Sequence, residues 1–158
     1  MKTVLSAFLF VAMTGNAFAA CVCPDVESLR TSWKSFRTAA LTGKPDNVEK
    51  FYKFPLVILS PMEGERPIKI THSVFKKNYE KLFVKDAANA ESDMYAALKK
   101  ADGNEYIRPF QFSTKKCGLE GDVRIEDYNF DYDQKRGWVI KSMYYGEGFQ
   151  WIKSRLEP

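Results

Sequence analysis

The chain has 158 residues, 45% hydrophobic and 15% aromatic, enough apolar material for one sizeable core and too much for a disordered segment. Its formal charge of +4 drops by one without Lys2 of the leader described next. The basic pairs Lys76–Lys77, Lys99–Lys100, Lys115–Lys116 and Lys135–Arg136 are scattered among acids. Such a small, dispersed surplus is too little to imply nucleic acid, and no nucleic-acid partner is expected.

Residues 1–20 read as a secretory signal peptide. Met1-Lys2 is a minimal positive start, Val4 to Met13 is apolar, and T-G-N-A-F-A-A ends in small residues. The apolar run is shorter than the roughly 20 residues of a spanning helix. Cleavage after Ala19 or Ala20 leaves residues 21–158 as a single domain. The short positive region is bacterial in style, so the expected destination is the periplasm or the exterior.

Cys21, Cys23 and Cys117 make an odd count for an oxidising compartment. One reading pairs Cys23 with Cys117, with Cys21 as the alternative partner. Another makes Cys21 a lipidated anchor, the one route to a membrane, and pairs the other two. Phe18 and the polar T-G-N segment argue against the lipid. C-V-C with one distant cysteine and one histidine is a poor metal set, and none is expected.

Pro24 to Leu41 is predicted as a helix started by Asp25 or Pro24, with Val26, Leu29, Trp33, Phe36 and Ala40 in one stripe. Arg30, Lys34 and Arg37 form a basic outer face expected to be solvated. Pro45-Asp46 opens a short second helix, with Asp46 as cap, ending by Phe54 because Pro55 disfavours helix before it. Leu56 to Leu59 is a buried strand, S-P-M-E-G-E-R-P a turn, and Ile68 and Ile70 alternate in the return strand. Thr71 or Ser73 caps a third helix burying Val74, Phe75, Asn78, Tyr79, Leu82 and Phe83. Asp86 to Ala101 is a fourth helix with Met94, Ala97, Leu98 and Ala101 inward, ended by Asp102-Gly103. Tyr106 to Phe112 is a strand with Pro109 at an edge or bulge, and Thr114 to Gly121 a loop.

Val123 to Tyr145 is predicted as one long hairpin with Tyr132 opposite Trp138, Phe130 opposite Ile140 and Tyr128 opposite Ser142. The other face sets Ile125 against Tyr145 and Asp127 against Met143. Apolar parity switches in both strands, which calls for a strong bend and a bulge near Glu126–Asp127 or Lys141–Ser142. Gly146-Glu147-Gly148 ends the strand, and Phe149, Trp151 and Ile152 form a last apolar patch. The fold class is α+β, N-terminal helices packed against a strongly bent antiparallel sheet.

F-D-Y-D-Q-K-R-G-W-V-I before a long last strand resembles the closing hairpin of the NTF2-like superfamily. F-Y-K-F-P-L-V-I and I-K-I-T-H-S-V-F-K-K-N-Y-E-K-L-F resemble its earlier elements in order and pattern. The resemblance implies a cone-shaped sheet around an internal pocket, in a superfamily holding isomerases, dehydratases, transport factors, immunity proteins and accessory domains. Enzymes of that kind use an Asp, His or Tyr inside the cone.

Two residues are catalytic candidates. His72 sits at a strand-to-helix junction, and Asp127 falls on the Met143 and Ile125 face, where apolar surroundings raise a carboxyl pKa. The competing role for Asp127 is to satisfy backbone donors at a bulge. The binding candidates are Tyr128, Tyr132, Met143, Tyr144, Tyr145 and Arg108. No nucleophile elbow, zinc-helix motif, phosphate loop or C-x-x-C is present, so no cofactor is expected. The leading expectation is an exported, non-enzymatic binding protein holding a partner protein or small ligand, with an immunity or inhibitor protein as one form. A lyase or isomerase using Asp127 and a structural envelope accessory protein are the alternatives. Export predicts an intact mass lacking residues 1–19 or 1–20. A full-chain mass would refute it, and an added diacylglycerol would establish the lipid reading.

Overall fold

A computed structural model describes residues 21–86, 88–146 and 149–156, so the expected leader lies outside the described residues. The chain folds as α+β. Helices are α1 (Val26–Ala40), α2 (Pro45–Val48), α3 (His72–Tyr79), α4 (Asp93–Lys100) and α5 (Phe149–Leu156). Strands are β1 (Tyr52–Leu59), β2 (Ile68–Ile70), β3 (Gln111–Ser113), β4 (Gly118–Glu120), β5 (Val123–Ile125), β6 (Tyr128–Asp133) and β7 (Gly137–Tyr144). One sheet has the order β2-β1-β7-β6-β5, and β3 and β4 form a separate pair. Each edge strand of the larger sheet has a single neighbour, so that sheet is open. It is also mixed: β1 runs parallel to β7 and every other pairing is antiparallel.

The early elements follow local chemistry. Asp25 caps α1 by accepting from Ser28 N at 2.7 Å, while Ser28 Oγ accepts from Asp25 N at 3.2 Å. Leu29, Trp33, Phe36 and Ala40 bury their stripe, whereas Val26 at the open end stays 37% exposed. Pro45 takes the first position of α2, but Asp46 does not cap it and instead pairs with Lys76 at 2.7 Å. A 3-10 turn over Glu49–Phe51 hands the chain to β1 at Tyr52, and the Phe54–Pro55 peptide is cis where the register of β1 on β7 shifts. Thr71 caps α3, which runs into a π-helical turn over Glu80–Val84 that keeps Leu82 and Phe83 buried.

Three expected elements are corrected. Asp86 and residues 88–92 do not join α4, because the Asp86 carboxylate accepts from Ala88 N and Ala90 N, both at 2.8 Å, and Ser92 caps from Tyr95 N. These local bonds offer the backbone an alternative that outcompetes the alanines' helix preference. Tyr106 to Phe110 is not strand: Tyr106 is 77% exposed, Pro109 has no donor for a ladder, and pairing starts only at Gln111. The expected loop at 114–121 instead contains β4, and the apolar patch after Gly148 is helical, with Phe149 and Ile152 buried.

The long hairpin is right near its turn and wrong at its far end. Tyr132 pairs with Trp138 and Phe130 with Ile140, as expected. Beyond that point Asn129 faces Ser142 and Tyr128 faces Met143, so Lys141 is the extra residue of a bulge in β7. Val123 to Ile125 does not extend β6 but folds back on it, with Ile125 opposite Tyr128 across a turn at Glu126-Asp127. The parity switch read from sequence therefore has two causes: a bulge in one strand and a tight turn in the other.

Helices and sheet meet in an aromatic core. Trp33 and Phe36 of α1 lie 5.3 Å and 5.2 Å from the ring of Tyr128, and Tyr52 lies 5.0 Å from Phe75 of α3. Such pairs add about 0.5–1.5 kcal/mol each beyond the area they bury.

The disulfide links Cys21 to Cys117, with the Cα atoms 5.6 Å apart, and leaves Cys23 exposed as a thiol. This corrects the Cys23–Cys117 pairing in favour of its alternative. The segment is positioned by the Gln134 amide, which accepts from Val22 N at 3.0 Å and donates to Val22 O at 3.2 Å. With its sulfur in this bond, Cys21 cannot carry the thioether of a lipid anchor. Among the described residues no helix is long and apolar enough to cross a membrane. Non-reducing peptide mapping is expected to recover Cys21 joined to Cys117, with Cys23 alkylated in native protein. Cys117→Ser should cost about 4–5 kcal/mol on chain-entropy grounds, given a separation of 96 residues. A Cys23–Cys117 peptide would overturn the assignment.

Candidate functional site

A cavity of about 320 Å³ lies between α1, α4, the segment after α4 and the β5–β6 turn. Its floor is Trp33, Leu98 and Tyr128, all buried, and its walls are Met94, Ala101 and Glu105, all partly buried. Ala97, Lys100, Glu126 and Asp127 are exposed and form the rim. The size is at the small end of ligand pockets, which span roughly 300–1,000 Å³ and are mostly apolar with a few placed polar groups.

Of the basic face of α1, expected to be solvated, Lys34 is exposed, but Arg30 and Arg37 are partly buried and brace the elements around the cavity. Arg37 donates from Nε to Leu98 O at 2.7 Å and from Nη2 to Lys99 O at 3.2 Å. It thereby satisfies carbonyls that the last turn of α4 leaves without helical partners, at the end where a cation is favoured. Arg30 Nη1 donates to Gly103 O at 3.4 Å and Glu105 O at 3.3 Å, and Tyr95 Oη donates to Leu41 O at 2.8 Å. Gly103 is required by close approach as well as by its φ of 86°: a Cβ there would come within 2.7 Å of Lys34 Cγ.

Glu105 is the anchored charge of the wall. Its carboxylate accepts from the Trp33 indole Nε1 and from Asp102 N and Gly103 N at 3.0 Å and 3.2 Å. Partial burial works to raise its pKa. Hydrogen bonds from its own backbone, Trp33, Gly103 and Asp102 outweigh that, and the net shift is downward. Glu105 is therefore ionised at neutral pH. A carboxylate has about four acceptor sites, and these donors occupy them, which fixes the side chain in the cavity wall.

Burial pushes the phenol of Tyr128 well up, with smaller contributions from Tyr79, Asp127 and Tyr145. Tyr52 is raised by burial too, and Tyr79 likewise. The Tyr128 hydroxyl has no hydrogen-bond partner among the described residues, a cost of about 1–3 kcal/mol for a buried donor.

The expected site residues scatter. Asp127 is exposed on the β5–β6 turn, so the apolar surroundings expected for it are absent, and its backbone carbonyl, not its carboxylate, accepts from Tyr144 N at 2.8 Å. His72 starts α3 on the surface, with Nε2 2.7 Å from Glu49 Oε2 and its ring 4.9 Å from Phe54. It is not among the cavity's lining residues, so the two catalytic candidates share no site. Met143 and Tyr145 are core; Tyr145 Oη donates to Leu82 O at 2.8 Å. Tyr132 packs half-buried against Trp138 at 5.3 Å, Tyr144 lies under the Arg124 guanidinium at 5.0 Å, and Arg108 is exposed in the irregular segment before β3. Of the expected binding residues only Tyr128 lines the cavity.

Glu105, Glu126 and Lys100 were not anticipated. D-G-N-E after a helix carried a signal for the first: an acid two residues beyond the stopping glycine can fold back onto freed backbone N–H groups. Among the described residues no three His, Cys, Asp or Glu side chains come together as a metal-ligand set.

Compared with family models, curated proteins and solved structures, the chain matches none.

Glu105 also sets a pH dependence. A carboxyl depressed in the fold stabilises fully above its unfolded value near 4.5, and that contribution is lost as pH falls through the lower folded value. The stability gap between wild type and Glu105→Gln, measured by urea unfolding, should be constant at pH 6–8 and shrink below about pH 4.5. A gap that grows on acidification would contradict the arrangement.

Proposed function

We propose that the protein is an exported, non-enzymatic binding protein whose site is the cavity between α1, α4 and the β5–β6 turn. The observation that carries this reading is the cavity itself: an apolar floor that includes the rings of Trp33 and Tyr128, a fixed carboxylate in its wall and a charged rim. Export is supported by the signal-like leader in the sequence and by the disulfide, which suits an oxidising compartment. The NTF2-like resemblance is part of the same proposal, resting on element order and on the β6–β7 hairpin.

A small ligand is favoured over a partner protein. The hairpin aromatics that a docking face would display are largely interior: Tyr128 is 4% and Tyr145 6% exposed. Binding is favoured over a reaction because Asp127 is exposed on its turn and His72 does not line the cavity.

The Trp33 indole N–H reports on the site, since it bonds to Glu105 and its ring lines the cavity. In ¹⁵N-labelled protein, at least one six-carbon probe among n-hexanol, n-hexylamine and hexanoate should shift that resonance saturably. Ala97→Trp, an exposed rim position on α4, should abolish the shift without unfolding the protein. No saturable shift with any probe, or one that survives Ala97→Trp, would overturn the reading.

A further inference from the structure

The segment before α1 carries a thiol beside a disulfide, and a pair of hydrogen bonds tells one cysteine from the other. Residues 21–25 have no helix or strand of their own. Cys21 is bonded to Cys117, while Cys23, two residues on, is exposed as a thiol whose Sγ turns back to Cys21 O at 3.9 Å. A nucleophile and the bond it can attack therefore share one short stretch.

Cys117 is the fixed partner. It ends the turn joining β3 to β4, beside Gly118, which pairs with Ser113. A disulfide needs Cα atoms within about 7 Å, and those of Cys21 and Cys117 are 5.6 Å apart. Positions two apart in an extended chain are separated by roughly 7 Å, so Cys23 reaches Cys117 when the segment slides by two residues. That slide meets a specific obstacle. Gln134 stands in the β6–β7 turn, which the Asp133 carboxylate closes by accepting from Lys135 N and Arg136 N. Its amide accepts from Val22 N at 3.0 Å and donates to Val22 O at 3.2 Å. With Cys23 in the place of Cys21, Pro24 takes the place of Val22 and has no N–H to give Gln134. Asp25, which caps α1 by accepting from Ser28 N at 2.7 Å, is drawn off its helix by the same movement.

We propose that the three cysteines form a thiol–disulfide switch, with Cys23 as its resident nucleophile and Gln134 as the latch that keeps the bond on Cys21. The Cys23 thiolate attacks Cys117 Sγ. The Cys23–Cys117 bond forms, the Cys21–Cys117 bond breaks, and Cys21 leaves as a thiolate that takes up the proton Cys23 gave up. One disulfide and one thiol stand on each side of the exchange, so no oxidant or reductant is consumed. The resting form exposes Cys23 and the shifted form frees Cys21, so the reactive thiol changes place as the first segment moves.

The test holds folded protein overnight at pH 8, blocks free thiols with N-ethylmaleimide, and locates label and disulfide by non-reducing mapping with tandem mass spectrometry. Wild type should stay Cys21–Cys117, labelled at Cys23. Gln134→Ala should raise the Cys23–Cys117 share at least tenfold, about the scale of one or two ordinary hydrogen bonds. Pro24→Ala should raise it as well, because the shifted segment then offers Gln134 an N–H. In the Gln134→Ala background the same change should add nothing. Cys21→Ser, refolded with oxidised glutathione, should form the Cys23–Cys117 bond in full, which checks reach directly. A folded Cys21→Ser protein with Cys117 free would overturn the switch. So would a Gln134→Ala protein that stays wholly Cys21–Cys117, a wild type found as an equal mixture, or a Pro24→Ala effect that persists without Gln134.

Discussion

The indole of Trp33 answers two demands at once, and the arrangement of the layers depends on both being met. Its ring packs at 5.5 Å from Phe36, 5.3 Å from Tyr128 and 6.3 Å from Phe130, joining α1 to β6. Its N–H, at the other edge, is held by Glu105 in the segment that follows α4. A buried Trp leaves its single donor unpaired only at a cost, so placing the ring also places the glutamate. α1, β6 and the α4 exit are therefore tied to one side chain. The cavity is the space left among them on the solvent side of that ring.

Charge reinforces the same geometry from the other direction. Arg30 and Arg37 would project into water on an isolated helix, yet both end on carbonyls of α4 and its exit. These are charge-assisted bonds to backbone acceptors, stronger than the exposed ion pairs elsewhere, such as Lys53 with Asp131. The Cys21–Cys117 bond and the Gln134 amide then hold residues 21 and 22 against the β3–β4 and β6–β7 turns, and none of these residues lines the cavity. The scaffold around the site is thus braced by covalent, charged and aromatic contacts, while the rim residues Glu126 and Lys100 show no side-chain pairing among the described residues.

Wherever a short-range rule acted alone, the elements were readable. Asp25 and Thr71 had nearby N–H groups to cap, so α1 and α3 start where expected. Trp138 and Tyr132 pair because the Asp133 carboxylate accepts from Lys135 N and Arg136 N, which closes the turn and lowers its pKa. Where two local rules competed, composition misled. The alanines of 87–97 favour helix, but Asp86 and Ser92 offer the backbone closer partners. The run from Val123 to Tyr132 alternates well enough for one strand, and alternation does not reveal a two-residue turn at Glu126-Asp127 with no glycine in it.

From residues alone came the class of fold, the stripe of α1, the register of the β6–β7 turn, a disulfide at Cys117 and the absence of known catalytic motifs. These depend on periodicity, caps and counts, all of which are local along the chain. The tertiary structure alone decided which cysteine pairs with Cys117, because Cys21 and Cys23 differ only in where the first segment lies. It alone decided that Met143 and Tyr145 are core and that Glu105, Glu126, Asp127 and Lys100 line one cavity. The cavity brings together residues from position 33 to position 128. No sequence period links such distant positions, and only the packing of α1 and α4 over the β5–β6 turn makes them neighbours.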